Sequence, residues 1–345
     1  MPTIHVHGAG QMPQMQHKTK KQVKKVRCRV PASTANIGPG FDAFSMALEE
    51  PHLELTVERV EGGEGVMVDV YGPYSHRVPT DPQRNAAAKA LDRLIGISGS
   101  GVGLRVVIEA SIPVAKGLGS SGAEAAGAVV AGERILEMNL NEGERITIAS
   151  SAEPGSHADN VVASLLGGFN VIDNSPEGLT YLNIKPPEHI GLVILVPTFE
   201  KKSTDEARKI LTTSPTLVEY SQALSRASLI SAAMALGRMD LLLKLIPLDP
   251  FIERARANAG LYGAGYRWEH LLEDKKKLLT EYGVALCISG SGPSRLLVYD
   301  VRRGLEEVER AVEYLSERIE RLAGGLERII YTKPTTYGAR IIDEH

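Results

Sequence analysis

A strand, a glycine–serine loop and a helix follow one another without a gap around Pro113-Val-Ala-Lys116-Gly117-Leu118-Gly119-Ser120-Ser121-Gly122-Ala-Glu124. Before the loop, Leu104, Val106, Ile108 and Ala110 alternate along residues 103–112 and predict a strand. After it, an alanine-rich run from Ala123 to about Met138 predicts a helix. Glycines let the backbone approach a ligand closely, and the first N–H groups of a helix have no partners of their own. Those groups and the helix dipole favour an anion, so the loop is a candidate phosphate site. The same residues also read as a capped helix, with Ser121 as N-cap and Glu124 completing a Ser-x-x-Glu capping box. The loop is not of the G-x-x-x-x-G-K-[ST] kind, because Lys116 precedes the glycines.

Composition narrows the setting. The 345 residues are 43% hydrophobic and 23% charged, enough for two domains with proper cores. A net charge of −3 argues against a general nucleic-acid binder. Only Cys28 and Cys287 are present, both in predicted strands, so no disulfide framework exists and a reducing cytoplasm fits. No apolar run reaches the roughly 20 residues of a membrane span. Residues 1–25 differ from the rest. They carry His5, His7 and His17, then Lys18, Lys20, Lys21, Lys24 and Lys25, and read as a flexible basic arm.

Alternation predicts strands over 26–30, 53–60 and 66–70, and a helix from about Arg84 to Ile95. Further helices are expected over 143–152 and after Asp159, and a strand over 169–172. Residues 190–196 form a continuous apolar run, as in a buried strand. Helical patterns follow over 216–246 and 268–282, and strands over 284–288 and 295–299. Leu305, Val308, Val312, Leu315, Ile319 and Leu322 form a helical stripe ended by Gly324-Gly325, and a strand over 327–332 follows. Clustered strands among helices predict an α+β fold. The boundary is expected near residues 174–187, which gives domains of about 26–180 and 181–345.

Two further glycine loops accompany the first. One is Pro31-Ala-Ser33-Thr34-Ala-Asn36-Ile-Gly-Pro-Gly40-Phe41-Asp42, and the other is Ser289-Gly290-Ser291-Gly292-Pro293-Ser294. Between them lie Glu153, the quartet His157-Ala-Asp159-Asn160 and Gly167-Gly168-Phe169. Singly, each reads as a turn, a cap or a satisfied buried polar group. In order, the three loops resemble the signature motifs of the GHMP small-molecule kinases, from about Val26 to the C-terminus. The first loop, the His157–Asn160 quartet, Thr204-Asp-Glu-Ala-Arg208 and Pro79-Thr-Asp-Pro-Gln-Arg-Asn85 are similar to the homoserine kinase form.

That resemblance implies an N-terminal domain like domain 2 of ribosomal protein S5 and a ferredoxin-like C-terminal domain, with ATP and L-homoserine meeting between them. It implies that residues 117–121 wrap the phosphates, with Lys116, Gly117, Leu118, Gly119, Ser120, Ser121, Gly122 and Asn85 on the nucleotide. Ser121 (or Ser120) and Glu153 would hold Mg2+, which needs few protein oxygens. Homoserine carries an ammonium, a carboxylate and a hydroxyl, and buried unmatched charges are costly. Asp42 suits the ammonium, and the guanidinium forks of Arg208 and Arg256 suit the carboxylate. Asn36, His157, Asn160, Thr204 and Gly290 complete the expected substrate contacts. Asn160, Asp159 and Arg208 would carry the transfer, with Asn160 facing the substrate, Asp159 structural and no strong base required. A homodimer is implied by the resemblance alone. The sequence departs from the usual pattern at Gly122, where alanine is commoner, and at Arg295, where a small or apolar residue is commoner. Another small alcohol such as mevalonate or shikimate is the neighbouring reading, and a nucleotide-binding regulator without catalysis is the non-enzymatic one.

Overall fold

The computed structural model describes residues 23–153, 155, 157–200, 204–211 and 214–345, so the arm expected over 1–25 lies almost wholly outside the described residues. Two sheets carry the chain. The first half contributes β1 (Lys25–Ala35), β2 (Phe44–Val60), β3 (Val66–Tyr71), α1 (Ala86–Ser98), β4 (Gly103–Glu109), α2 (Ser120–Ile135), α3 (Glu142–Ser150), α4 (Asp159–Leu166), β5 (Phe169–Ser175) and β6 (Gly178–Ile184). The second half contributes β7 (Ile190–Pro197), α5 (Thr204–Lys209), α6 (Leu217–Ala235), α7 (Met239–Leu245), α8 (Ile252–Asn258), α9 (Trp268–Tyr282), β8 (Ala285–Ile288), β9 (Arg295–Asp300), α10 (Glu306–Ala323), β10 (Leu326–Thr332) and β11 (Arg340–Glu344).

The first sheet has the order β11-β1-β2-β4-β3, with β5 beside β2 and β6 beside β5. Val26, Cys28 and Val30 alternate inward along β1 and face the core, opposite Val57, Leu55 and Leu53 of β2. β3 and β4 run parallel with α1 between them. Ala123, Ala125, Ala126, Ala128 and Ala131 of α2 are buried, and such small side chains let the helix lie close against β1 and β2. The second sheet has the order β10-β7-β9-β8 and is antiparallel throughout. Every residue of β7 is buried, as its apolar run requires. The α10 stripe is buried at Val308, Val312, Leu315 and Ile319.

Several expectations shift. The helix expected over 216–246 is two helices, because Gly237 turns left-handed (φ 66°) between α6 and α7. The helix expected from Arg84 starts at Ala86, with Asn85 outside it as the cap. β6 pairs with β5, so the first sheet runs past residue 180 to Ile184. The C-terminal strand β11 crosses back to pair with β1, bridged on the way by Glu49 N–H donating to Lys333 O and Gly168 N–H to Thr335 O. Short polar edge strands such as these carry little apolar periodicity, so their sequences do not announce them.

Candidate active site

The glycine–serine loop turns its carbonyls outward. Lys116 O accepts from Ser294 N–H (3.3 Å), Gly117 O from the Ser289 hydroxyl (2.6 Å) and Leu118 O from Ser33 N–H (3.1 Å). Each trans peptide sets its N–H opposite to its carbonyl, and residues 117–121 line a cleft of about 290 Å³. The first and third glycine loops act here as clamps that aim the amides of the second. Glycine is required at two places. Gly117 and Gly119 both have positive φ (80° and 68°), and a Cβ on either would stand 2.2 Å from Ser289 O or Ser33 Oγ.

The capping box expected at Ser121 is absent. Helix α2 starts two residues earlier, at Ser120, with Gly119 as its cap and no side chain closing it. The Ser121 hydroxyl instead donates to Glu153 Oε2 (2.9 Å), and the Ser120 hydroxyl to Glu124 Oε1 (3.1 Å). The free first turn of α2 thus opens on the cleft beside two serine–carboxyl pairs. Gly122 is tightly packed. A Cβ there would stand 3.2 Å from Asn160 Cβ, so glycine lets α4 press against the phosphate loop.

A divalent cation fits this end of the cleft. Glu153 Oε1 is buried without a hydrogen-bond partner, an orphan that a cation would satisfy. Burial of the carboxyl, with Asp159 nearby, pushes Glu153 up to about 7. Glu124, expected as a capping partner, forms no cap at α2. It lines the cleft instead, and burial pushes it up to about 8. Its i,i+4 spacing from Ser120 is the signal that could have placed it. A carboxyl whose pKa is raised on folding favours the native state less as pH climbs from the unfolded value toward the folded one. Glu124→Gln should therefore leave stability nearly unchanged near pH 5 and raise it by about 2–4 kcal/mol above pH 8. Thermal unfolding of the ligand-free protein across pH checks this, and a gain that does not grow with pH would contradict it.

The side chains of two residues expected on the nucleotide are engaged elsewhere. Lys116 turns away from the cleft, and its ammonium donates to the carbonyls of Pro197, Thr198 and Phe199. Asn85 is fully buried and used up as a cap: Oδ1 accepts from Ala88 N–H (2.9 Å) and Nδ2 donates to Pro79 O (2.9 Å). Arg77, Val78, Pro79, Arg84 and Lys89 line that side of the cleft instead.

At the other end, the first loop meets α5 and α8. Asn36 and Asp42 adopt left-handed backbone (φ 57° and 56°), and Asn36 Oδ1 accepts the Asp42 N–H at 2.8 Å. This turn presents the Asp42 carboxylate to Arg208 Nη2, 2.6 Å away, and the same nitrogen lies 3.0 Å from His157 Nδ1. Arg256 is 2% exposed yet lines the cleft. Among the described residues it meets no carboxylate, only Ala207 O (3.4 Å), Gly290 O (3.5 Å) and the Phe41 ring, 5.3 Å from its guanidinium carbon. Phe41 also underlies Arg208 at 5.4 Å, a role its place between Gly40 and Asp42 does not reveal. Asn160 Oδ1 accepts from the Ser33 hydroxyl (2.9 Å), and the buried Asp159 caps its own neighbour through Oδ1 (2.8 Å). Burial raises the pKa of Asp159. Thr204 opens α5, and its side chain lies outside the described residues. Arg295, whose position departs from the usual pattern, is fully buried behind the third loop, donating to Pro293 O and Tyr262 O at 2.7 Å.

Comparison with known proteins agrees with this geometry. Residues 84–168 match the model of the GHMP kinases N terminal domain. The chain is 31% identical over 320 residues to a homoserine kinase of Thermoplasma acidophilum, covering 87% of this chain and 96% of that one. It is 34% identical to a homoserine kinase of Deinococcus radiodurans, over 79% and 84% of the two chains. Among solved structures, a homoserine kinase from Cytophaga hutchinsonii superposes with a TM-score of 0.80 at 22% identity, covering 94% of this chain and 99% of that one. A mevalonate diphosphate decarboxylase from Staphylococcus aureus shares the fold with a TM-score of 0.70 at 15% identity, over 93% and 98% of the chains.

Proposed function

The chain belongs to the homoserine kinase family of the GHMP kinases, and from that premise we propose that it transfers the γ-phosphoryl group of ATP to the hydroxyl of L-homoserine. The products are O-phospho-L-homoserine and ADP, a step of threonine biosynthesis. One observation carries the substrate assignment: a buried guanidinium, Arg256, that meets no carboxylate among the described residues shares a cleft with the paired Asp42 and Arg208. An α-amino acid offers a carboxylate to the first and an ammonium to Asp42. Mevalonate and shikimate offer no ammonium, which disfavours them.

In the free protein Asp42 and Arg208 satisfy each other. A zwitterion can open that pair because it replaces both partners, whereas a ligand with one charge strands the other group. The amides of residues 117–121 bind the β- and γ-phosphates and hold them in line with the substrate hydroxyl. Ser121 and Glu153 hold Mg2+, which neutralises phosphate charge when bound. Nucleotide contacts from Ser120 and Gly122 run through the backbone. Asn160 and His157 orient the substrate, and Thr204 and Gly290 border it.

Asp159 holds the α4 N-terminus rather than acting as a strong base, since its Oδ1 is spent on the backbone N–H and the side-chain amide of Asn160. Asp159→Asn should then keep kcat within about tenfold of wild type. Loss of activity by three orders of magnitude with intact fold and homoserine affinity would contradict this. Coupled ADP release with Mg-ATP and homoserine, mevalonate, shikimate or threonine tests the function as a whole, and no turnover of homoserine would overturn it. No helix among the described residues is long and apolar enough to cross a membrane, and a cytoplasmic homodimer accompanies the proposal. The exposed Leu217, Tyr220 and Leu224 along α6 support self-association, which sedimentation would measure.

A further inference from the structure

Lys116 stands beside the phosphate loop but takes no part in the chemistry above. Its ammonium donates to Pro197 O (2.7 Å), Phe199 O (2.9 Å) and Thr198 O (3.0 Å), with the Glu327 carboxylate at 3.3 Å. All three protons are therefore used, and the residue is 1% exposed. Three consecutive carbonyls facing one point make a poor wall unless a cation sits among them. Those carbonyls run from the last residue of β7 into the segment after it, and Glu327 lies on β10, so one side chain joins the loop that feeds α2 to two strands of the second sheet.

A second cation reinforces the same seam. Arg77, on the nucleotide side of the cleft, pairs with Glu200 one residue beyond the carbonyl cluster. The Lys116 main chain is held as well, through Ser294 N–H at its carbonyl. Burial lowers the pKa of the ammonium, and Glu327 opposes that shift. The next residue, Gly117, carries the first of the inward amides. A rigid trans peptide passes any displacement of Lys116 straight to that amide.

We propose that Lys116 is a positioning residue that ties the phosphate loop to the ends of β7 and β10, presetting the loop amides for a nucleoside triphosphate and joining the two sheets on nucleotide binding. The proposal rests on the kinase reading. Absence of ADP formation by the wild-type enzyme would sink that reading, whereas the outcomes below concern Lys116 alone.

Lys116→Met keeps length and removes every donor. The variant should bind Mg-AMPPNP at least about tenfold more weakly by calorimetry, while the KM for homoserine changes less than about threefold. Hydrogen exchange gives a second readout. In the wild-type protein, nucleotide should slow exchange at Thr198, Phe199 and Glu200 as well as at residues 117–121, and in Lys116→Met the slowing at 198–200 should vanish. A folded variant with lower melting temperature but wild-type nucleotide affinity would make Lys116 merely structural and overturn the proposal. If the variant does not fold, the wild-type exchange experiment still decides, because no nucleotide-dependent slowing at 198–200 would overturn it equally.

Discussion

Replacing Arg256 by methionine should raise the KM for L-homoserine at least 100-fold, with the KM for ATP changed less than about threefold. The reason is burial without compensation. Arg256 is 2% exposed, its two carbonyl contacts are at 3.4 and 3.5 Å, and no described residue gives it a carboxylate. A substrate carboxylate would complete the site, and losing one member of a desolvated charge pair costs about 2–5 kcal/mol. Methionine fills similar volume on the Phe41 ring and avoids a cavity. Lysine should also fail by an order of magnitude or more, because a point charge cannot reproduce the two-pronged contact. Steady-state kinetics against each substrate, with circular dichroism to confirm folding, make the measurement. An unchanged homoserine KM in the folded methionine variant would remove Arg256 from the substrate site.

Arg256 stays in place through contacts no sequence pattern shows. It lies one turn after Glu253 on α8, and Glu253 Oε1 accepts the Ile288 N–H (2.8 Å) while Lys275 of α9 pairs with the same carboxylate. The short helix is thus fastened to the strand that leads into Ser289–Ser294. The spacing Ile252-Glu-Arg-Ala-Arg256 looks equally like a solvated helix face, and only tertiary packing decides between the two.

The same limit runs through the rest of the molecule. Local patterns were enough for α9, predicted over 268–282 and found there, and for the strand, loop and helix around the phosphate loop. Those features depend on periodicity and chain punctuation, which are local. What escaped was the destination of long polar side chains. Lys116 sits next to a phosphate loop and points at another sheet, and Asn85 sits in a motif and caps a helix. Glu124, expected to close a capping box with Ser121, instead accepts from the Ser120 hydroxyl inside the cleft. β11 escaped because its pairing with β1 joins residues more than 300 positions apart by number, and its own sequence alternates weakly.

Glu153→Gln should lower kcat/KM by about 10³ or more, roughly 4 kcal/mol of transition-state stabilisation. The amide keeps the size of the side chain and can still accept from the Ser121 hydroxyl, so the loop should hold its shape. What it loses is charge at Oε1, the buried oxygen without a partner. A neutral amide oxygen is a weak ligand for Mg2+, a hard cation that favours carboxylates. Affinity of the nucleotide in the absence of divalent cation should therefore stay near wild type, while the added affinity supplied by Mg2+ should fall at least about tenfold. Mn2+ bound in place of Mg2+ gives a direct signal by electron paramagnetic resonance. This pairing separates two roles for the same side chain. If Glu153 merely buttresses Ser121, its amide should serve as well, and both the Mg2+ increment and kcat would survive. If it holds the cation, both fall together and excess Mg2+ recovers part of the rate. The orphaned oxygen argues for the second outcome, because a buttress needs only Oε2, whereas Glu153 also buries Oε1 without a partner.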